Sequence, residues 1–161
     1  MKIGIISLGG PSSKLVAKEC QKYFDDVEEL ELKKFDVHMI DGERKVTYMG
    51  HEISGFDCLY IRGSHKYAYL QRAITQQFFR EAYMPIEPKA FTTGHDKFMT
   101  TLILQENGVT VPKTYYAANT DAARRIIDDV VGYPIILKAQ AGTHGKGVLI
   151  AENAKTAKGI L

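Results

Sequence analysis

Tryptophan is absent from these 161 residues, and the chain holds only two cysteines and five prolines. Cys20 and Cys58 show no C-x-x-C spacing and lie in apolar-patterned segments. They read as buried, reduced thiols rather than a disulfide or a metal site. The net charge of +2 comes without any basic block or basic–aromatic stripe, which excludes nucleic acid and an anionic membrane surface as expected partners. No apolar run approaches the ~18 residues needed to cross a bilayer. Met1-Lys2-Ile3-Gly4-Ile5-Ile6 lacks the ~7–15-residue apolar core of a signal peptide, so a cytoplasmic protein is expected. His38, His51, His65 and His95 have no metal-ligand spacing, and the acidic pairs Asp128-Asp129 and Glu28-Glu29 read as solvated charge. No metal site is expected within the chain.

What is present is an ordinary globular composition, 45% hydrophobic and 25% charged, long enough to bury a core. Residues 2–8 read as a strand buried on both sides, and Gly9-Gly10-Pro11-Ser12-Ser13 as a turn with capping residues before an amphipathic helix over 14–24. A second strand is expected over 29–35 and a small hairpin over 45–53 about Met49-Gly50. A third strand at 57–62 and a helix over 67–83 follow. Strands alternating with helices imply a mainly parallel sheet, hence an α/β fold.

Pro85 and Pro88 mark a short strand or linker and a domain boundary. Thr93-Gly94-His95-Asp96 reads as a capping box opening a helix over 96–106, closed by Asn107-Gly108. Residues 109–116, interrupted by Pro112, read as an edge strand. Asn119-Thr120-Asp121 caps a helix with the apolar stripe Ala123, Ile126, Ile127, Val130 and Val131. The last segment, 153–161, ends on Ala154, Ala157, Ile160 and Leu161, an apolar stripe expected to lack a partner, as in a truncated chain.

The chemistry concentrates in Pro134-Ile135-Ile136-Leu137-Lys138-Ala139-Gln140-Ala141-Gly142-Thr143-His144-Gly145-Lys146-Gly147-Val148. Its G-x-x-G-x-G order is neither a P-loop nor a dinucleotide fingerprint, and it joins two strands rather than a strand and a helix. Glycines there let backbone N–H groups converge on phosphate oxygens, while Thr143, His144 and Lys146 add donors and charge. The same residues also suit a mobile basic hairpin tip. Lys138 stands in an apolar strand, where an unpaired ammonium is costly to bury and calls for an anion; the other reading is a snorkelling lysine on an edge strand. Lys97, in the first turn of its helix, adds a point charge where the helix already favours anions. The turn carrying Ser12 and Ser13 is a weaker anion site or simply a cap, and Arg62 faces the same sheet edge as an anion partner for an acceptor substrate.

In chain order, Asp96-Lys97, then Gly108-Val109-Thr110-Val111-Pro112-Lys113-Thr114, then Pro134 to Lys138, then Gly142-Thr143-His144-Gly145-Lys146-Gly147-Val148 resemble the ATP-grasp superfamily. Within it they are similar to the RimK-like group of ribosomal-protein glutamate ligases. Residues 2–8 and Ile61-Arg62-Gly63 resemble that group's N-terminal domain. The resemblance spans the chain and is most specific at Lys138 with the glycine loop.

The resemblance implies a Rossmann-like pre-ATP-grasp domain over 1–88 and the small α+β lid subdomain of an ATP-grasp fold over 89–161. It implies an ATP-dependent carboxylate–amine ligase working through an acyl phosphate, with a small-molecule or protein carboxylate and glutamate or another amino acid as substrates. Lys97 and Lys138 match the family's phosphate-contacting lysines, and Gly142, Thr143, His144, Gly145, Lys146 and Gly147 match its lid. The family's Mg²⁺ ligands are expected beyond residue 161, so the chain is expected to be the N-terminal part of such an enzyme and inactive alone. A non-catalytic nucleotide-binding or subunit-pairing module, homo-oligomers included, is the alternative; a plain flavodoxin-like ligand domain with a spacer loop is a third reading.

Overall fold

The computed structural model describes residues 1–129, 132–139 and 147–161, and the chain divides into two compact units, Met1–His95 and Asp96–Leu161. The α/β architecture expected from the alternation is present. In the first unit, β1 (Lys2–Ser7), β2 (Asp26–Glu31) and β5 (Cys58–Ile61) form a parallel sheet in the order β2-β1-β5. Every β1 residue after Lys2 is buried. Successive side chains point to opposite faces of a strand, so Ile3 and Ile5 join Ala17 of α1 (Pro11–Cys20) and Cys58 in one cluster. Ile6 joins Leu30, Leu59, Ile61, Ile74 and Phe78 in the other, beside α2 (Ala68–Phe78). A parallel sheet covered on both faces reads as a continuous apolar run, which β1 is.

Several boundaries differ from the sequence expectation. α1 begins at Pro11, whose fixed φ suits the first helical position, with Gly10 as an N-cap that offers no side-chain bond. Ser12 and Ser13 therefore lie inside the helix rather than capping it. The strand expected at 29–35 stops at Glu31; Leu32–Lys34 make a 3₁₀ turn, and Phe35 starts β3 (Phe35–Ile40). β3 pairs with β4 (Glu43–Tyr48) in an antiparallel hairpin whose turn, Asp41-Gly42, has φ 52° and 81° at its two residues. An Asp-Gly pair with both φ values positive is the favoured two-residue hairpin turn. The smaller hairpin expected about Met49-Gly50 is only the Tyr48–His51 bridge after β4. Arg44 ties the hairpin to α2 through Gln77 Oε1 at 3.3 Å and the Gln76 carbonyl at 3.2 Å. Beyond α2 the chain bridges Tyr83 to Cys58 at the edge of β5, residues 85–88 form no strand, and the short α3 (Ala90–Thr93) closes the unit.

The second unit contains α4 (Lys97–Glu106), α5 (Thr120–Asp129), the antiparallel hairpin β6 (Ile135–Lys138) and β7 (Val148–Ala151), and α6 (Ala154–Ile160). Among the described residues the edge strand expected at 109–116 is not formed. Asn119 caps α5 by accepting from the Ala122 N–H at 2.8 Å. Val130 and Val131 of its expected stripe lie outside the described residues. Ile127, Ala151 and Ala157 form the buried core, with Ile135, Leu137, Ala154 and Ile160 packed on it. The stripe on α6 thus has a partner, contrary to expectation; only its last residue, Leu161, stands exposed. Among the described residues no helix is long and apolar enough to cross a membrane.

Cys58 is buried and Cys20 half-buried, both free. Desolvation pushes both thiols up, Glu19 adding to the effect on Cys20 and Cys20 to that on Cys58. Because the thiolate is the nucleophile, both cysteines should react with Ellman's reagent more slowly than a free thiol at neutral pH, the gap narrowing as pH rises. Reaction at the free-thiol rate in the native state would contradict this. Ile74 is fully buried between α2 and the sheet, so Ile74→Ala should lower stability by about 2–5 kcal/mol in urea unfolding.

Candidate functional site

The second unit gathers the strongest candidates at one point. Asp96 caps α4: its Oδ1 accepts from the N–H groups of Phe98 at 3.0 Å and Met99 at 2.9 Å. It is therefore the N-cap itself, not the last residue of a capping box begun at Thr93. Capping leaves Lys97 as the first helical residue, half-buried, and its ammonium donates to the Ala139 carbonyl at 3.3 Å. Ala139 directly follows Lys138 and donates its own N–H to the Gly147 carbonyl at 2.8 Å. Two hydrogen bonds thus link Lys97 and Gly147 through Ala139, the residue next to Lys138. Gly142, Thr143, His144, Gly145 and Lys146 lie outside the described residues.

The burial argument for Lys138 does not hold. Ile135 and Leu137 pack on the core, whereas Ile136 and Lys138 point outward by the strand alternation and are exposed. Water solvates the Lys138 ammonium, so desolvation does not oblige it to find an anion. Its setting is informative instead. Ile136 pairs with Ile150 and Lys138 with Val148, so these four residues share one open face. Ile136 is 58% exposed and Ile150 61%. An apolar plate ending in an ammonium suits a flat ring joined to an anion.

In the first unit the sheet runs from β1 to β2 on one side and places β5 on the other. Open α/β sheets bind ligands outside the carboxyl ends of the strands at such a reversal. Arg62 lies there, its N–H donating to the Ile6 carbonyl at 2.9 Å. Its guanidinium donates to the Ser12 carbonyl and to Ser12 Oγ, both at 3.2 Å. The structure therefore brings Arg62 and Ser12 together, while Ser13 is buried one residue further along α1. Neither Arg62 nor Lys138 forms an ion pair with a described residue.

Sequence reasoning missed the support of this loop. Gln71, 1% exposed, donates to the Ser64 carbonyl at 3.1 Å. A Cβ on Gly63 would stand 2.8 Å from both Gln71 Oε1 and Leu32 Cδ2, so a side chain there would make those two shift. His65 meets His95 edge-on at 6.2 Å between ring centres. Among the described residues no three His, Cys, Asp or Glu side chains gather to hold a metal ion.

Residues 94–161 match the model of the RimK-like ATP-grasp domain. A probable alpha-L-glutamate ligase of Cellvibrio japonicus is 29% identical over the whole of this chain and 54% of its own length. A Vibrio cholerae protein of the same name is 27% identical with the same coverage. The chain spans about half the length of the curated relatives it matches. A RimK domain ATP-grasp protein from Sphaerobacter thermophilus superposes with a TM-score of 0.71 at 15% identity, over 99% of this chain and 57% of the other. The ATP-grasp ligase PsnB, in complex with a minimal precursor, Mg and ADP, gives 0.65 at 14% identity over 99% and 61%. Such low identities speak to shared fold. Asp96→Ala, which removes both cap bonds at the start of α4, should cost about 1 kcal/mol in thermal or urea unfolding; an unchanged midpoint would show that the cap adds nothing.

Proposed function

We propose that the chain, whose residues 94–161 match the RimK-like ATP-grasp domain, contributes the nucleotide-lid side of an ATP-dependent carboxylate–amine ligase. One observation carries the reading: the Lys97 ammonium reaches the carbonyl of Ala139, the residue that follows Lys138 in the chain. Bound ATP would supply the phosphoryl group that activates a carboxylate as an acyl phosphate, which an amine then converts to an amide. Phosphoryl transfer asks a protein mainly for positioning and charge neutralisation.

The residues present fit a nucleotide. Ile136, Val148 and Ile150 offer an apolar face to the base, and Lys138 and Lys97 are assigned to the phosphates; Gly142, Thr143, His144, Gly145, Lys146 and Gly147 are assigned to the lid on the resemblance alone. They do not fit Mg²⁺, because no acidic cluster stands among the described residues; no step is derived through the metal, and nucleotide binding rather than turnover is proposed for the chain by itself. Arg62, with Ser12, is assigned to a carboxylate of the acceptor, since a guanidinium matches a carboxylate in two parallel bonds; Ser13, buried within α1, takes no part. The name of the Cellvibrio relative favours glutamate as the amine.

Titration of the chain with ATP by calorimetry tests this. Removing a charged hydrogen-bond donor costs roughly 1.5–3 kcal/mol, about ten- to a hundredfold in affinity, so Lys138→Ala and Lys97→Ala should each weaken binding by that order. Arg62→Gln should leave ATP binding unchanged. Unchanged affinity in both lysine variants overturns the nucleotide assignment.

A further inference from the structure

We propose that Ala139 and Gly147 act as a clamp that sets the positions of the two lysines, so that the pairing at residue 147 governs nucleotide affinity through Lys97 and Lys138. The proposal rests on the nucleotide reading above. One residue carries both constraints: the Ala139 N–H donates to the Gly147 carbonyl at 2.8 Å, one rung past the Lys138–Val148 pair, and the Ala139 carbonyl accepts from the Lys97 ammonium at 3.3 Å. Any shift of Ala139 therefore moves Lys138 through the chain and Lys97 through its hydrogen bond.

What holds Ala139 in place is the absence of a side chain at 147. Gly147 has φ +75°, and a Cβ built there would lie 2.9 Å from the Ala139 Cβ and 3.9 Å from the Ala139 nitrogen. Real Cβ atoms essentially never approach so closely. The atom it would meet is a methyl fixed to the backbone, with no rotamer to escape into, so relief requires the two strands to part. Parting stretches the Ala139–Gly147 bond and carries the Ala139 carbonyl away from Lys97. The steric demand and the positive φ are separable: asparagine tolerates the left-handed region better than alanine but brings the same Cβ, whereas Ala139→Gly removes the opposing methyl and keeps both backbone bonds.

The test combines ATP calorimetry with amide hydrogen exchange on the whole chain. Gly147→Ala and Gly147→Asn should each weaken ATP binding by about tenfold while α5 and α6 retain their exchange protection. Ala139→Gly alone should stay within about twofold of the parent, and adding it to Gly147→Ala should recover affinity to within about threefold. In the parent chain the Ala139 amide should be protected from exchange, a reading that needs no variant to fold. If Lys138→Ala and Lys97→Ala weaken binding but Gly147→Ala does not, or if Ala139→Gly fails to rescue it, the clamp is overturned and the nucleotide reading stands. An unprotected Ala139 amide overturns the clamp as well. If the lysine variants also bind normally, it is the nucleotide reading that fails.

Discussion

The burial of β1 on both faces is the constraint on which the first unit depends. Ile3 and Ile5 demand cover from one side and Ile6 from the other, so α1 and α2 must lie on opposite faces of the sheet. Once they do, the start of α1 and the end of β5 fall at the same edge, and the 3.2 Å bonds from Arg62 to Ser12 follow from that placement. Gly4 belongs to the same constraint. A Cβ there would come within 2.6 Å of Leu59 Cδ2 and 2.9 Å of the Phe56 ring, so the strand packs against its neighbours only where the side chain is missing.

The second unit solves a similar problem with less material. A two-stranded hairpin has one face to bury, and α5 and α6 provide the cover through Ile127 and Ala157. The other face stays open, and along it the outward alternation lines up Ile136 and Lys138. The capped start of α4 then brings Lys97 to the same rung. Three local devices, namely an Asp cap, a strand alternation and a glycine with positive φ, converge around one residue, Ala139.

Much of this was legible in the chain. The strand at Lys2–Ser7 announces itself by an unbroken apolar run, and α4 and α5 by polar caps and periodic apolar residues. The resemblance carried by Lys97, Lys138 and the glycine loop anticipated the family matched by residues 94–161. What failed has physical causes. Asp41-Gly42 and Met49-Gly50 are both turns with positive φ, and reading the second as the hairpin tip hid the longer β3–β4 pairing. Residues 109–116 have strand composition, but a strand needs a partner, which local pattern does not reveal. Lys138 looked buried because its neighbours are apolar; in a sheet with one open face, alternation overrules neighbours. The Gln71–Ser64 bond joins residues in different elements, and only Gly63 hinted at it.

Between them the two units differ sharply in how much apolar matter they hide. From Asp96 onward only Ile127, Ala151 and Ala157 are fully buried apolar residues among those described, and α4 buries none. Native chains open locally with free energies that follow such differences. The region of Lys97 and Lys138 therefore belongs to the unit that hides less apolar surface, where opening costs less free energy than in the sheet around β1. A binding site built on the less stable portion gains the most order from its ligand, so occupancy there changes the dynamics of the chain as much as its chemistry.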